Sequence, residues 1–292
     1  MTDLPTLYVI DASSIMHRLY HAVPIETTRA RDSDQPLNVV IGWVRSLRRL
    51  REFGARYIVP VFDGDGPGWR HEAFPAYKSE RRPYDDALLE QFPLVRELTA
   101  VLRLPVVCLP GVEADDLISS YAAAATARGR DVTIYSSDKD LMQLVRDDPA
   151  VRQFIPGRTG GLFGPDDVRA KFGVGPEQLG DLLALAGDKV DSIPGVPGIG
   201  PKTAARLLAD GDLERLLERW SFIHPIKLGD TLHRLEPEIR LWKRIVELDR
   251  GVALPVPLDD LQSWTPSRRG LDAFFQRFGF PRWEAAVDRF EE

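Results

Sequence analysis

The sequence predicts an α/β protein: a mostly parallel, doubly wound sheet with helices on both faces, followed by a helical C-terminal region. Short apolar runs of strand length alternate with longer amphipathic stretches through the first two-thirds of the chain. These stretches are long enough to be crossover helices between parallel strands. Beyond residue 166 the chain shows helical stretches bounded by Pro or Gly and no strand pattern. We therefore expect an α/β core at residues 1–186 and a helical region at 187–292.

The individual elements follow from residue type and spacing. Apolar runs rich in Val, Ile and aromatic residues predict strands at 7–10, 57–62, 105–108 and 132–135. Helical spacing predicts helices at 38–53, 85–102, 114–128 and 141–145. The Gly-rich segment 154–165 predicts a turn or short hairpin. Later helices are predicted at 165–172, 176–186, 200–209, 212–220 and 238–248.

Composition excludes several classes of protein. With 43% hydrophobic and 28% charged residues, and no apolar run of bilayer length, the chain is predicted to be a soluble, cytoplasmic monomer without membrane contact. The single cysteine, Cys108, excludes a disulfide framework and a thiolate metal site. The net charge is −6, yet setting aside the nine acids described next leaves 35 acidic against 38 basic residues. A polyanionic partner is therefore not excluded.

Nine acidic residues lie where loops are expected at the ends of strands or helices. Two carboxylates ~4 Å apart repel by about 4 kcal/mol at an effective dielectric of 20. If these acids converge at one edge of the sheet, they need cations, and oxygen ligands favour Mg²⁺ or Mn²⁺. The alternative is that acids at helix N-termini only complement the helix dipole or cap the helix. The nine residues are Asp11, Asp63, Glu113, Asp115, Asp116, Asp138, Asp140, Asp188 and Asp191.

A glycine-rich segment, IPGVPGIGPKTAARLL at 193–208, predicts a helix-hairpin-helix motif. Gly195, Gly198 and Gly200 permit tight turns and close backbone approach. Lys202 and Thr203 fall in the first turn of the next helix, whose N–H groups would bind a DNA backbone without reading bases. The alternative is an ordinary Gly/Pro turn.

Residues 64–84, GDGPGWRHEAFPAYKSERRPY, combine cations with aromatic rings. The cations could hold phosphates and the rings could stack on unpaired bases, beside the acids, because Asp63 comes directly before this segment. The alternative is a solvated loop with buried aromatics. The candidate cations are Arg70, Lys78, Arg81 and Arg82, and the candidate rings include Trp69 and Tyr77.

The order of motifs VID, FDG, WRHEAFPAYKSERRP, GVEADDL, SSDKDL and GDKVDSIPGVPGIGPKTA resembles the bacterial 5′ nuclease family. That family comprises the 5′→3′ exonuclease domain of DNA polymerase I and related flap endonucleases. The resemblance runs from about residue 7 to 208. No polymerase sequence follows, so we expect a stand-alone form.

The resemblance implies the role of each candidate residue. A first ion would be held by Asp11, Asp63, Glu113 and Asp115, with Asp116 beside it, and a second by Asp138, Asp140, Asp188 and Asp191, partly through water. Arg70, Lys78 and Arg81 would belong to a helical gateway for the 5′ strand. A monovalent cation such as K⁺ would bind near Val196 and Ile199.

The implied activity is structure-specific 5′ nuclease action on DNA with 5′ ends, 5′ flaps or nicks, through two metal ions, in replication and repair. The protein itself would supply no covalent nucleophile. Two alternatives stay open. A ribonuclease on a similar acid-lined sheet would lack the hairpin, and a catalytically inactive protein that binds DNA junctions would cleave nothing.

Overall fold

A computed structural model of the chain describes residues 4–26, 28–30, 33–157 and 161–279. It contains a five-stranded sheet in the order β2-β1-β3-β4-β5. Strands β1 to β4 are parallel, and β5 runs antiparallel to β4. The prediction of a mostly parallel sheet is confirmed. The strands are β1 (Leu7–Asp11), β2 (Tyr57–Val61), β3 (Val132–Tyr135), β4 (Val151–Phe154) and β5 (Leu162–Phe163).

Strand β1 lies between β2 and β3, with Leu7 opposite both Tyr57 and Val132. The chain leaves β1 for β2 on one side and later returns to β3 on the other. The loops after these strands therefore diverge at the carboxyl end of β1. Open parallel sheets bind their ligands at such a switch point.

The predicted strand at 105–108 is wrong. The structure has a single parallel bridge there, between Val61 and Val107. The Val107 N–H donates to the Pro60 carbonyl and the Phe62 N–H donates to the Val107 carbonyl. Pro105 has no N–H with which to extend the ladder. Strand β4, which the sequence pattern did not predict, forms the next parallel pair beyond β3.

Helices cover both faces of the sheet, as predicted. On one face, side chains such as Trp43 and Ile10 join one core, and on the other face Val9 and Leu117 join a second. The predicted helix at 85–102 is divided in two, and that at 141–145 is a 3₁₀ helix over Asp140–Leu144. The helices of this part are α1 (Ala12–Ala22), α2 (Asn38–Glu52), α3 (Trp69–Ala73), α4 (Asp86–Leu89), α5 (Gln91–Val101) and α6 (Ala114–Thr126).

The C-terminal part is helical and has its own core, in which α8 packs against α9 and α12. That core already includes Val168 and Val174, so the division at residue 187 stays a prediction. In the described ranges, no helix has the length and apolar character needed to cross a membrane. The helices are α7 (Pro165–Phe172), α8 (Leu179–Ala186), α9 (Pro201–Leu207), α10 (Leu213–Glu218), α11 (Ile226–Arg234), α12 (Glu236–Val246) and α13 (Arg268–Gln276), with 3₁₀ turns at Pro176–Gln178, Trp220–Phe222 and Leu258–Asp260.

Candidate active site

A cavity of about 920 Å³ opens where the carboxyl ends of β1, β2 and β3 meet. Five of the nine candidate acids line it, and basic side chains from the segment after β2 face them. One side of α1 completes the wall, because residues three, four and seven apart share a helix face. The lining acids are Asp11, Asp63, Glu113, Asp115 and Asp138; the other chemically active side chains are Ser14, His17, Arg18, His21, Lys78, Arg81, Arg82, Tyr84 and Ser137.

Asp11 is the last residue of β1 and the N-cap of α1. Its Oδ1 accepts a hydrogen bond from the Ser14 N–H at 3.0 Å, and its Oδ2 accepts one from the Ser136 hydroxyl at 2.6 Å. Only 3% of the residue is exposed. Burial, followed by the charges of Asp138 and Asp63, raises the pKa of Asp11 to about 7 against these two hydrogen bonds. The site therefore strongly disfavours an uncompensated carboxylate here.

Asp63 reaches the cavity through a close backbone contact. A Cβ on the next residue, Gly64, would lie 1.7 Å from the Leu109 carbonyl oxygen, so only glycine fits. The Asp63 Oδ1 then accepts the Ala114 N–H at 2.9 Å, at the start of α6. This bond ties the loop after β2 to the helix that carries Asp115.

Asp115 and Asp138 complete the acidic wall. Burial and then the charges of Asp138 and Asp11 raise the pKa of Asp115 well above its usual range. The Asp138 Oδ1 accepts the Asp140 N–H at 2.9 Å. Carboxylates from β1, from the loop after β3 and from α6 thus interact electrostatically across one cavity.

Glu113 is held by two neighbours from the segment after β2. Lys78 Nζ lies 2.6 Å from its Oε1, and the Tyr77 hydroxyl donates to its Oε2 at 2.9 Å. Burial would raise the pKa of Glu113, but the charge and hydrogen bond of Lys78, together with Arg70 and Tyr77, outweigh burial and the pKa is lowered. Lys78 has φ of 55°. This left-handed conformation is strained for a non-glycine residue, and strain of this kind is concentrated at functional sites.

The remaining acids of the predicted second ion lie behind the cavity wall. The Lys139 ammonium donates to Asp188 Oδ2 and lies 3.4 Å from Asp140 Oδ1. Burial and then the charge of Asp138 raise the pKa of Asp140 to about 7. Burial also raises the pKa of Asp191, whose Oδ1 accepts a hydrogen bond from Arg81 Nη2 at 2.9 Å. Asp140, Asp188 and Asp191 therefore form a rear acid group that already has cationic partners.

In the parts of the chain that the structure describes, no three His, Cys, Asp or Glu side chains stand in an arrangement that would hold a metal ion directly. The five lining acids share a cavity, and the side chains of Asp11, Asp63, Glu113 and Asp138 already accept hydrogen bonds from the protein. A shared ion would require side-chain rotation. The donor set nevertheless fits hard divalent cations, since the lining carboxylates crowd together and Asp11 and Asp115 resist ionisation.

The predicted gateway role of Arg70 and the predicted metal-site role of Asp116 stay predictions. Arg70 Nη1 lies 3.6 Å from Oε2 of Glu113, an acid of the cavity. Neither Arg70 nor Asp116 lines the cavity, and both are buried. The Arg70 guanidinium donates to the two oxygens of Asp116, with N–O distances of 2.5 and 2.7 Å. Each charge neutralises the other, since either charge would be strongly destabilising if it were buried alone. Arg70 therefore offers no free fork to a DNA strand.

The rings predicted to stack on bases are also placed differently. Tyr77 is 3% exposed, and its ring belongs to the core of the helical part. Trp69 packs against the same core, with the Arg244 guanidinium 5.1 Å from its ring centre. Tyr84 is instead an exposed aromatic side chain at the cavity, with the ring of His17, which is also exposed, 5.8 Å away. The only sequence signal for Tyr84 is its position as the last residue of the same basic and aromatic segment.

The glycine-rich hairpin lies between α8 and α9. Gly195 has φ of 68°, and a Cβ on it would come within 2.3 Å of the Gly187 nitrogen. Gly198, Gly200 and Lys202 are exposed at the tip.

The hairpin also contains backbone hydrogen bonds that hold its shape. The Thr203 N–H donates to the Gly200 carbonyl. Val196 and Ile199 have buried side chains, and the Ile199 N–H donates to the Val196 carbonyl at 2.9 Å. The predicted DNA and monovalent-cation contacts of this hairpin stay predictions.

An acid-lined cavity at the carboxyl edge of a parallel sheet, faced by Lys and Arg and followed by a glycine hairpin, is the arrangement expected of a nuclease. The chain belongs to the 5′-3′ exonuclease family. Residues 6–173 match the family model described as the N-terminal resolvase-like domain. Residues 174–269 match the one described as the C-terminal SAM fold. The predicted family is confirmed.

Relatives span two kinds of protein. A 5′-3′ exonuclease of Aquifex aeolicus is 38% identical over 289 residues, covering 98% of this chain and 96% of that relative. DNA polymerase I of Rhizobium leguminosarum is 39% identical, covering 87% of this chain but 26% of the polymerase. The thermostable DNA polymerase I of Thermus filiformis is 35% identical, and 32% of it is covered. The chain thus spans about a quarter to a third of the polymerases it matches.

Solved structures share the fold over nearly the whole chain. T5 5′-exonuclease with bound divalent metal ions (zinc) has a TM-score of 0.70 at 22% identity, and 98% of this chain and 99% of that chain are covered. The catalytic core of Rad2 in complex with DNA substrate has a TM-score of 0.61 at 18% identity, with 98% and 91% covered.

Proposed function

We propose that this protein is a divalent-metal-dependent nuclease that hydrolyses phosphodiester bonds in DNA at 5′ ends, 5′ flaps or nicks. The observation that carries the proposal is the convergence of five carboxylates on one cavity, opposite Lys78, Arg81 and Arg82. They come from the end of β1, the loops after β2 and β3, and the start of α6. Two relatives in structure, a T5 exonuclease with divalent metal ions and Rad2 with DNA substrate, support the same reading. We expect the protein to act as a monomer in the cytoplasm, in replication and repair.

The lining acids would hold the ions. Carboxylate oxygens at the carboxyl edge of the sheet are offered by Asp11, Asp63, Asp115 and Asp138. Each Glu113 oxygen also keeps a second lone pair beside its present hydrogen bond. Bound Mg²⁺ or Mn²⁺ would activate water and stabilise the leaving oxygen. The rear acids Asp140, Asp188 and Asp191 would support a second ion only by exchanging their present Lys139 and Arg81 partners. The lining acids offer only carboxylate oxygens, which suit Mg²⁺ or Mn²⁺ better than Zn²⁺.

The cations of the chain bind and orient the substrate phosphate. Lys78 Nζ is fixed by its ion pair with Glu113, and the Arg81 guanidinium by its ion pair with Asp191. Both cations are therefore preorganised. Preorganised cations stabilise the charge that develops on a phosphate without reorganisation. Arg82 and Tyr84, exposed on the same wall, would contact the unpaired 5′ strand.

The hairpin would seat the duplex part of the substrate. Its exposed tip, with Gly198, Gly200 and Lys202, offers backbone N–H groups and a cation to phosphates but no base-reading groups. A K⁺ ion near Val196 and Ile199 would strengthen such a backbone contact. Substrate choice would then depend on DNA shape instead of sequence.

The test compares cleavage of a 5′-flap DNA with cleavage of an RNA of the same sequence, with Mg²⁺ or with EDTA. Wild-type protein should cleave the DNA flap only with the metal. Asp138→Asn should abolish cleavage while DNA affinity stays within about threefold, whereas Asp166→Asn, at a fully exposed side chain outside the cavity, should leave both unchanged. Equal cleavage of RNA would favour the ribonuclease alternative. Binding without cleavage would favour the junction-binding protein.

A further inference from the structure

The buried ion pair of Arg70 and Asp116 joins three separate parts of the chain. Besides its two bonds to Asp116, the Arg70 guanidinium donates from Nε to the Ile245 carbonyl at 2.8 Å. It also donates from Nη2 to the Glu247 carbonyl at 2.8 Å. One guanidinium thereby links helix α3, the first turn of α6 and the end of α12.

Asp116 is held from the other side as well. Its Oδ1 accepts the Asp249 N–H at 2.9 Å, and its backbone carbonyl accepts the Ser120 hydroxyl at 2.8 Å. The Val252 N–H in turn donates to the Ser120 hydroxyl oxygen. Both carboxylate oxygens of Asp116 are therefore occupied by protein donors in a site that is only 2% exposed.

Helix α3 needs such an anchor. It is five residues long, Trp69–Ala73, and isolated helices of that length are not stable in water. The segment that follows α3 carries Lys78, and the residue before Asp116 is the cavity acid Asp115. Fixing Arg70 to Asp116 therefore fixes the cationic wall of the cavity relative to the acidic wall.

We infer that Arg70 and Asp116 are a positioning pair: they act through Lys78 and Asp115 to keep the two walls of the cavity in register, and Asp116 binds no metal. The same guanidinium also bonds the end of α12, so the helical C-terminal part is held in a fixed position relative to both walls. This inference rests on the proposed function. A misplacement of about 1 Å at a reacting centre can lower a rate about 100-fold, so a small movement of either wall is enough to be measured.

The experiment measures Mn²⁺ binding by calorimetry and steady-state cleavage of a 5′-flap DNA for D116N, R70K and the matched neighbour D115N. D116N should bind the same number of Mn²⁺ ions as wild type, with a Kd within about threefold, while D115N loses at least one ion. D116N and R70K should both lower kcat by about 10- to 100-fold with KM within about threefold. Lysine at position 70 keeps the charge but cannot form the fork, so it should not rescue. The double variant should lose no more than the worse single variant, as expected for residues that act as a unit.

Several results would overturn the inference. Loss of an Mn²⁺ site in D116N would make Asp116 a ligand, and unchanged kcat in a folded D116N or R70K would make the pair merely structural. If D116N does not fold by thermal unfolding, R70K gives the same comparison with a charge still opposite Asp116. If the wild-type protein did not cleave the 5′-flap DNA, the proposed function would be wrong. The Mn²⁺ comparison of D116N with D115N would still decide whether Asp116 is a ligand.

Discussion

Replacing Asp11 with Asn should abolish cleavage and yet make the protein more stable in EDTA at pH 8. Burial, and then the charges of Asp138 and Asp63, raise the pKa of Asp11 from 3.8 to about 7. At about 1.4 kcal/mol for each pKa unit, the ionised carboxylate costs about 4 kcal/mol of stability at pH 8. Asn keeps the shape and can still accept the Ser14 N–H, so most of that cost should disappear.

The sign of the pH dependence follows from linkage. The folded protein holds the Asp11 proton to higher pH than the unfolded chain does. Wild-type stability in EDTA should therefore fall as pH rises from about 4 to about 7. The advantage of Asp11→Asn should shrink from about 4 kcal/mol at pH 8 to about 2 kcal/mol at pH 5. Saturating Mn²⁺ at pH 8 should stabilise the wild type more than the variant.

Urea unfolding with EDTA at the two pH values measures both quantities. The control is Asp181→Asn, at a carboxylate that is equally buried but is paired with Lys243 at 2.6 Å and accepts the Leu213 N–H. The same substitution should destabilise the protein there, because it removes the buried carboxylate from the half-buried Lys243 ammonium, which would keep only Glu247 at 3.6 Å. A variant Asp11→Asn that is less stable than wild type at pH 8, or whose advantage does not change with pH, would refute the reasoning.

Three further predictions concern the walls of the cavity and the hairpin. Lys78→Ala should move the acid limb of the pH–rate profile to higher pH, because Lys78 lowers the pKa of Glu113 against burial; an unmoved limb contradicts that role. Lys202→Ala should weaken binding to all DNA sequences alike and reduce the slope of log K against log salt by about one. A loss that depends on sequence would argue against backbone contact. Tyr84→Ala should slow cleavage of a flap more than cleavage of a nicked duplex. The control Tyr77→Phe, at a buried ring, should affect both substrates equally. Equal losses for Tyr84→Ala would show that Tyr84 does not contact the unpaired strand.

The acids of the cavity could be predicted because topology alone brings them together. Asp11 ends one strand and Asp63 and Asp138 follow two others; all three strands end at the same edge of the sheet, and the strand order confirms that edge. Helix α1 could not be predicted in the same way. It begins at Ala12, directly after the last residue of β1, with no Pro or Gly to mark the boundary.

Long-range pairing explains most of what the sequence could not reveal. Arg70 stands in a run of cations that resembles a phosphate-binding loop, and Asp116 stands in a run of acids that resembles a metal site. Their partnership spans 46 positions and depends on how α3 docks against α6. The prediction that Tyr77 stacks on bases differs from the structure for the same reason. Only the packed structure shows that its hydroxyl contacts Glu113 and that its ring joins the helical core.

The most direct test of the account is anomalous diffraction from crystals grown with saturating Mn²⁺. We expect manganese peaks inside the cavity, with Asp116 still bonded to Arg70. The ions should be coordinated by carboxylate oxygens from the set Asp11, Asp63, Glu113, Asp115 and Asp138. A cavity without manganese, in crystals that contain the ion elsewhere, would contradict the claim that these five carboxylates form a metal site.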